Sequence, residues 1–305
     1  MNAPGLSGIT IPAGSQRIFS LAGFAPGLAS PVVHIEARGG QVVAFLQQSI
    51  VRGLDSVGVD LVDAGAEPAK QLTIPGVRIR NAIGVNSALT LVDWQDVGPA
   101  VRIAVPGTKK TKVTVNVIPV DPKVDGTSFQ TTVDPGKVDE LALDSGAEVD
   151  TGVALADGTY TVTIESDQPV VAGVRVSTAV GDGGDQGDAA PQAPPSDLAW
   201  YASSPALTGD TLVSIAPGPD PQLELTNPTK AEVTVVAKAQ GGGDDITIKV
   251  PGNGAASVAV KEGLTYLLTA ATGLHAAVSY AGDAQLAAYP VTSSRPVSGP
   301  IVIRP

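Results

Sequence analysis

The sequence predicts an all-β protein made of tandem immunoglobulin-like β-sandwich modules, the first incomplete, with almost no helix. Three observations lead there. Gly (35) and Pro (25) are in excess, and neither residue suits helix interiors. Short apolar runs alternate with polar residues, as half-buried strands do. One phrase is also written three times, as VHIEARGGQVVAFLQQS over 33–49, YTVTIESDQPVVAGVRVS over 160–177 and AVSYAGDAQLAAYPV over 277–291. Each copy has an alternating strand, a Gly/Asp/Gln turn and a second apolar strand, which reads as a β-hairpin.

The repeat extends upstream. Residues 131–136 (TTVDPG) followed by 140–143 (ELAL) match 248–252 (IKVPG) followed by 257–260 (SVAV), and more loosely 9–14 (ITIPAG) followed by 18–21 (IFSL). Residues 102–115 (RIAVPGTKKTKVTV) match 223–235 (LELTNPTKAEVTV), with no counterpart before the first copy. The segments after each hairpin also correspond, Asp60 to Ala69 with Asp197 to Ala206, and Arg295-Pro-Val297 opens a third such joint. Ile35 lies 129 residues before Ile164, a period that suits a sandwich and is too long for a propeller blade.

The expected organisation is therefore a partial module and joint over 1–88, a sandwich module over 89–180, an acidic Gly/Pro linker and joint over 181–210, and a sandwich module with a C-terminal joint strand over 211–305. The linker is expected to be flexible. Alternation places Val133, Leu141, Leu143, Ile164, Val171 and Val174 in one core, and Val250, Val258, Val260, Tyr280 and Leu286 in the next. A half module leaves a sheet edge and an apolar face open. Strand 71–80 (QLTIPGVRIR) is the expected partner, with the first module left as a self-association surface.

Composition narrows function mostly by exclusion. A net charge of −11 with 19 dispersed Lys and Arg is wrong for nucleic acid and for anionic membrane surfaces. No run has the length for a membrane helix, so no membrane insertion is expected. The start, Met1-Asn-Ala-Pro-Gly-Leu, shows no export signal in this chain. Cysteine is absent, which removes disulfides and thiol chemistry.

Candidate chemistry is sparse. Asp144-Ser-Gly and Asp150-Thr-Gly copy the aspartic-protease triplet but lie six residues apart, so they cannot come from two lobes; they read as strand-end turns. His34 and His275 occupy unmatched repeat positions, and each reads as a solvated or core-edge histidine rather than a ligand. Asp182, Asp185 and Asp188 are metal candidates, with Asp121 and Asp125 behind them, but their spacing lacks the EF-hand order; a solvated linker is the simpler reading. Gly241-Gly-Gly-Asp-Asp245 reads as a hairpin turn rather than a phosphate loop. Trp94, Trp200 and Tyr201 are ligand-binding candidates for stacking a sugar, although a Trp-Tyr pair at a joint also suits module packing. No catalytic residue and no cofactor is assigned.

The joint at Asp197-Leu-Ala-Trp200, the segment 165–177 and the closing segment 276–290 resemble an actinobacterial domain-of-unknown-function family, number 5719. That resemblance implies an extracytoplasmic home, secreted or at the cell surface, and no assigned activity. The expected function is a non-catalytic structural or interaction protein of the bacterial cell envelope. The alternative is a glycan- or polymer-binding accessory to envelope polysaccharide assembly, with a cell-wall glycan or an envelope protein as partner. An enzyme would need a cleft with a carboxylate pair.

Overall fold

The structure, a computed structural model, describes residues 5–24, 31–52, 54–89, 98–143, 155–179 and 196–293. It is all-β, with every strand pair antiparallel. A single helical turn, α1 (Leu21–Phe24), precedes the hairpin β1 (Leu46–Arg52) and β2 (Asp55–Val62). Next come β3 (Ala69–Ile79), α2 (Ala82–Leu89), β4 (Ala100–Ala104), β5 (Thr111–Pro119), β6 (Thr127–Val133) and β7 (Val138–Ala142). The 22-residue β8 (Gly158–Ala179) and β9 (Ser196–Ala202) complete the first sheet pair. The second pair holds β10 (Thr211–Ser214), β11 (Gln222–Asn227), β12 (Val233–Gln240), β13 (Ile246–Val250), β14 (Gly254–Ala259), β15 (Thr265–Thr269), β16 (His275–Gly282) and β17 (Gln285–Pro290).

The two sheet pairs share one connectivity. The second has the orders β10-β15-β12-β13 and β14-β11-β16-β17 around a core of Leu223, Leu225, Val235, Ile248, Leu268 and Val278. In the first, β8 serves both sheets. Its N-terminal half lies between β3 and β5, and its C-terminal half between β4 and β9. Changing sheets through a bend in one strand is a known way to turn the corner of a sandwich. The change falls at Asp167-Gln-Pro169, where the proline cannot continue a ladder. Facing sheets around two such cores are consistent with tandem immunoglobulin-like sandwiches.

This corrects the repeated hairpin. Only the third copy is one, with β16 paired to β17 around Asp283-Ala284. The second copy is the continuous β8, whose halves pair with different strands. In the first copy, strand begins only at Leu46 and pairs forward with β2, while the described residues of 9–21 and 33–45 carry no strand. The repeat register shifts accordingly. Ile164 stands opposite Val115 as Leu268 stands opposite Ala237, so Ile164 corresponds to Leu268 and not to Tyr280. A turn separates β15 from β16, and β8 replaces that turn with a bend. Alternation is the same on both sides either way.

The burial expected from alternation holds at nine of the eleven positions, from Val133, Ile164 and Val250 at 0% exposed to Val260 at 7%; Val171 and Val258 are half-buried, and Leu286 is buried in the first core rather than the second. The 71–80 segment does form a strand, but β3 pairs with β8 and completes the sheet of β5 and β6, not the hairpin β1–β2. The helix α2 went unforeseen because its N-terminal cap comes from far along the chain. Asp157 accepts from the amides of Asn81 (3.1 Å) and Ala82 (2.8 Å). Gly241, Gly242 and Gly243 all have positive φ in the β12–β13 turn, as read from the sequence. The 181–196 linker lies outside the described residues but for Ser196, and so does the joint at Arg295.

Ile164 and Leu268 are both wholly buried at matching points of the two cores. Truncating either to alanine is expected to cost about 2–5 kcal/mol, by the loss of buried methyl groups and the cavity left behind. Chemical denaturation of the two variants checks this, and a cost under 1 kcal/mol in either would contradict the assigned register.

Candidate functional site

The most chemically loaded region is the seam where the two sandwiches meet. Residues 72–79 of β3 are buried throughout. Leu72, Ile74, Val77 and Ile79 enter the first core, and the other face is covered by the outer face of β11 and β16. A bulge at Pro75-Gly76 makes the close contact. The β3–β8 register slips between Ile74 and Val77, and Gly76 takes φ +69. A Cβ there would lie 2.1 Å from Cγ of Glu224, so only glycine fits.

Glu224 is 1% exposed. Burial pushes its pKa up, while the hydroxyls of Ser279 and Ser257 and the nearby Arg78 pull it back; Ser279 donates to Oε1 at 2.8 Å. Arg78, itself buried, bonds Asp220 through its guanidinium and donates to the Asp220 carbonyl at 2.7 Å. Arg80 reaches the same carboxylate at 3.2 Å. The Arg78 hydrogen bond holds the Asp220 carboxyl below the usual range. Thr161 and Thr226 hydrogen bond across the seam at 3.0 Å, and Asn81 donates to the carbonyl of Asp283 at 2.9 Å. Leu286 and Ala288 of β17 join the apolar core of the first sandwich.

A second cluster lies where β2 packs on β9. Asp60 accepts from the amide of Trp200 at 2.7 Å, and Asp197 accepts from the amide of Val59 at 3.3 Å and from that of Leu286 at 2.9 Å. Burial pushes Asp60 up to about 6, with Asp197 adding repulsion; burial also raises Asp197. These carboxylates are the pair missing from the sequence reading. Their oxygens are engaged by backbone amides and do not line the crevice beside α2. That crevice, bounded by Ile79, Val85, Leu143 and Val176 with Asn86 and Ser177 beside them, is mostly apolar and about the size of one water.

The stacking candidates fare differently. Tyr201 is 2% exposed with its ring in the first core, which leaves it no face for a sugar, and burial drives its phenol pKa up. The indole of Trp200 has the guanidinium of Arg102 over its ring, 4.6 Å from the centroid, and donates to Gln48 Oε1 at 2.5 Å. Arg102 and Arg175 both bind Glu140, so Trp200 ends a row of charged side chains under the β1–β2 hairpin. Trp200 and Tyr201 thus pack one element on the next. Trp94 and the metal candidates Asp182, Asp185 and Asp188 lie outside the described residues, as do Asp144 and Asp150.

Asp121 accepts from the Lys123 amide at 2.9 Å in a turn, and among the described residues no group of three His, Asp or Glu could hold a metal. His34 is exposed, 3.5 Å from Glu36. His275 hydrogen bonds the Ser204 carbonyl through Nδ1 at 2.7 Å, and burial lowers its pKa. The buried Glu224 and Asp60 were missed because each sits in an ordinary alternating strand; only Gly76 in a Pro-Gly pair hinted at a close approach.

Gly76→Ala should cost about 2–4 kcal/mol, combining left-handed backbone strain with overpacking. Gly136 has a matching φ of +70 and nothing within 4 Å of a new Cβ, so Gly136→Ala should cost only about 1–2 kcal/mol. Equal losses in urea unfolding would mean that the contact with Glu224 contributes nothing.

Comparison with known proteins gives a family and little else. No curated protein matches. A solved structure described as Thermotoga maritima 1070 is similar over 45% of this chain and 95% of that one, at 16% identity and a TM-score of 0.28. The model of the family of unknown function DUF5719 matches residues 1–261, and the chain belongs to that family.

Proposed function

We propose that this chain is a non-catalytic structural or interaction protein of the bacterial cell envelope, working outside the cytoplasm as a spacer of fixed geometry. The observation that carries the reading is the seam at Gly76 and Glu224. Domains joined for motion meet through small, wet interfaces. Here a buried carboxylate, a buried arginine and a strand covered on both faces hold one sandwich against the other. The repeated connectivity supports the same reading, since a spacer is readily built by reusing one module. The envelope setting rests on the family resemblance.

The absence of cysteine makes the test direct, because introduced cysteines are unique labels. Spin labels at Thr132→Cys in β6 and Lys249→Cys in β13, both exposed, should give one narrow distance distribution. A broad or two-peaked distribution would contradict a fixed spacer. Titration with cell-wall glycan fragments should leave tryptophan fluorescence and that distance unchanged. A saturable response abolished by Trp200→Ala would instead favour the glycan-binding reading.

A further inference from the structure

The hairpin β1–β2 is fixed to the first sandwich by a reciprocal clasp. Asp60 of β2 accepts from the backbone of β9, at Trp200 N, and Asp197 of β9 accepts from the backbone of β2, at Val59 N. The strands form no ladder with each other, so these side chains replace one. Ser196 adds a hydroxyl bond to the Val57 carbonyl at 2.9 Å. The approach is tight: a Cβ on Gly58 would lie 2.8 Å from Leu198 N and 2.9 Å from Asp197 Oδ1.

Two like charges thereby meet at one junction, Asp60 buried and Asp197 half-buried. Asp60 is 7% exposed, and among the described residues no cation stands within ion-pair distance of either carboxylate. The groups facing Asp60 are Asp197 and the Tyr201 phenol from β9, the latter set against Arg78 of β3. From β17, Asp197 meets only the Leu286 amide.

We propose that this clasp is a proton-sensitive latch, which holds the hairpin on β9 more tightly in mildly acidic solution than at neutral pH. A proton on Asp60 removes the buried one of two neighbouring like charges and leaves a carbonyl oxygen that still accepts from Trp200 N. The folded carboxyl titrates at about 6 against 3.8 when free, so the docked state binds the proton first. Docking is then strongest below about pH 4 and weakens as pH rises through 6. A displacement of about two units sets the limit at roughly a hundredfold in the docking equilibrium. His275 works in the opposite direction, since burial disfavours its charged form, but it lies in the second sandwich. A local readout separates the two.

Hydrogen exchange of the amides in β1 and β2, corrected for intrinsic rates, should show protection rising several-fold, up to about tenfold, from pH 7.5 to pH 5. Protection that is flat or falls on acidification would overturn the latch, and this needs no variant. Asp60→Asn mimics the protonated state and should give high protection with a clearly shallower pH dependence, the remainder coming from Asp197, which burial also raises. Retention of the wild-type slope in Asp60→Asn would assign the effect to another group and sink the proposal.

Discussion

The close approach of β3 to the outer face of β11 is the constraint on which the rest of this molecule depends. An edge strand normally shows one face to solvent. Here Thr73, Arg78 and the Pro75-Gly76 bulge give β3 a second buried face, so a strand of the first sandwich also belongs to the boundary of the second. The contact is made by a missing side chain. Without Cβ at residue 76, Glu224 can lie under the bulge; with one, the strands must separate. Once they are that close, the guanidinium of Arg78 is buried, and Asp220 pairs with it from the solvent-facing rim of the seam.

Asp197 makes β9 the other point of convergence. Its two oxygens accept from β2 on one side and β17 on the other, so one carboxylate ties the hairpin and both sandwiches together. The residue lies on the outer edge of the first sandwich, where sequence suggested only a joint. Joint residues here are strands with buried polar anchors. Tyr201 fills the first core, and Trp200 spans from Arg102 to Gln48.

Much of the fold could be read in the sequence, because alternation and turn chemistry are local. The strand positions of 102–115, 131–143, 223–235 and 248–260, the Gly241–Gly243 turn and most core residues follow from period-two burial and from glycines that need positive φ. What could not be read depended on partners. The sequence around Asp167-Gln-Pro169 looks like a hairpin turn whether the strands after it return or continue into another sheet. The helix α2 depends on Asp157, 75 residues away from Ala82. Glu224 and Asp60 look like solvent-facing members of alternating strands, and only the arrival of a second surface makes them buried acids.

If the seam makes the two sandwiches one cooperative unit, they must open together. Native-state hydrogen exchange in low urea reads this directly, with the central strands β5 and β12 as reporters for the two cores. Amides of both strands should converge on one opening free energy and one denaturant slope. Exchange through two separate openings, with β12 released while β5 stays protected or the reverse, would contradict it.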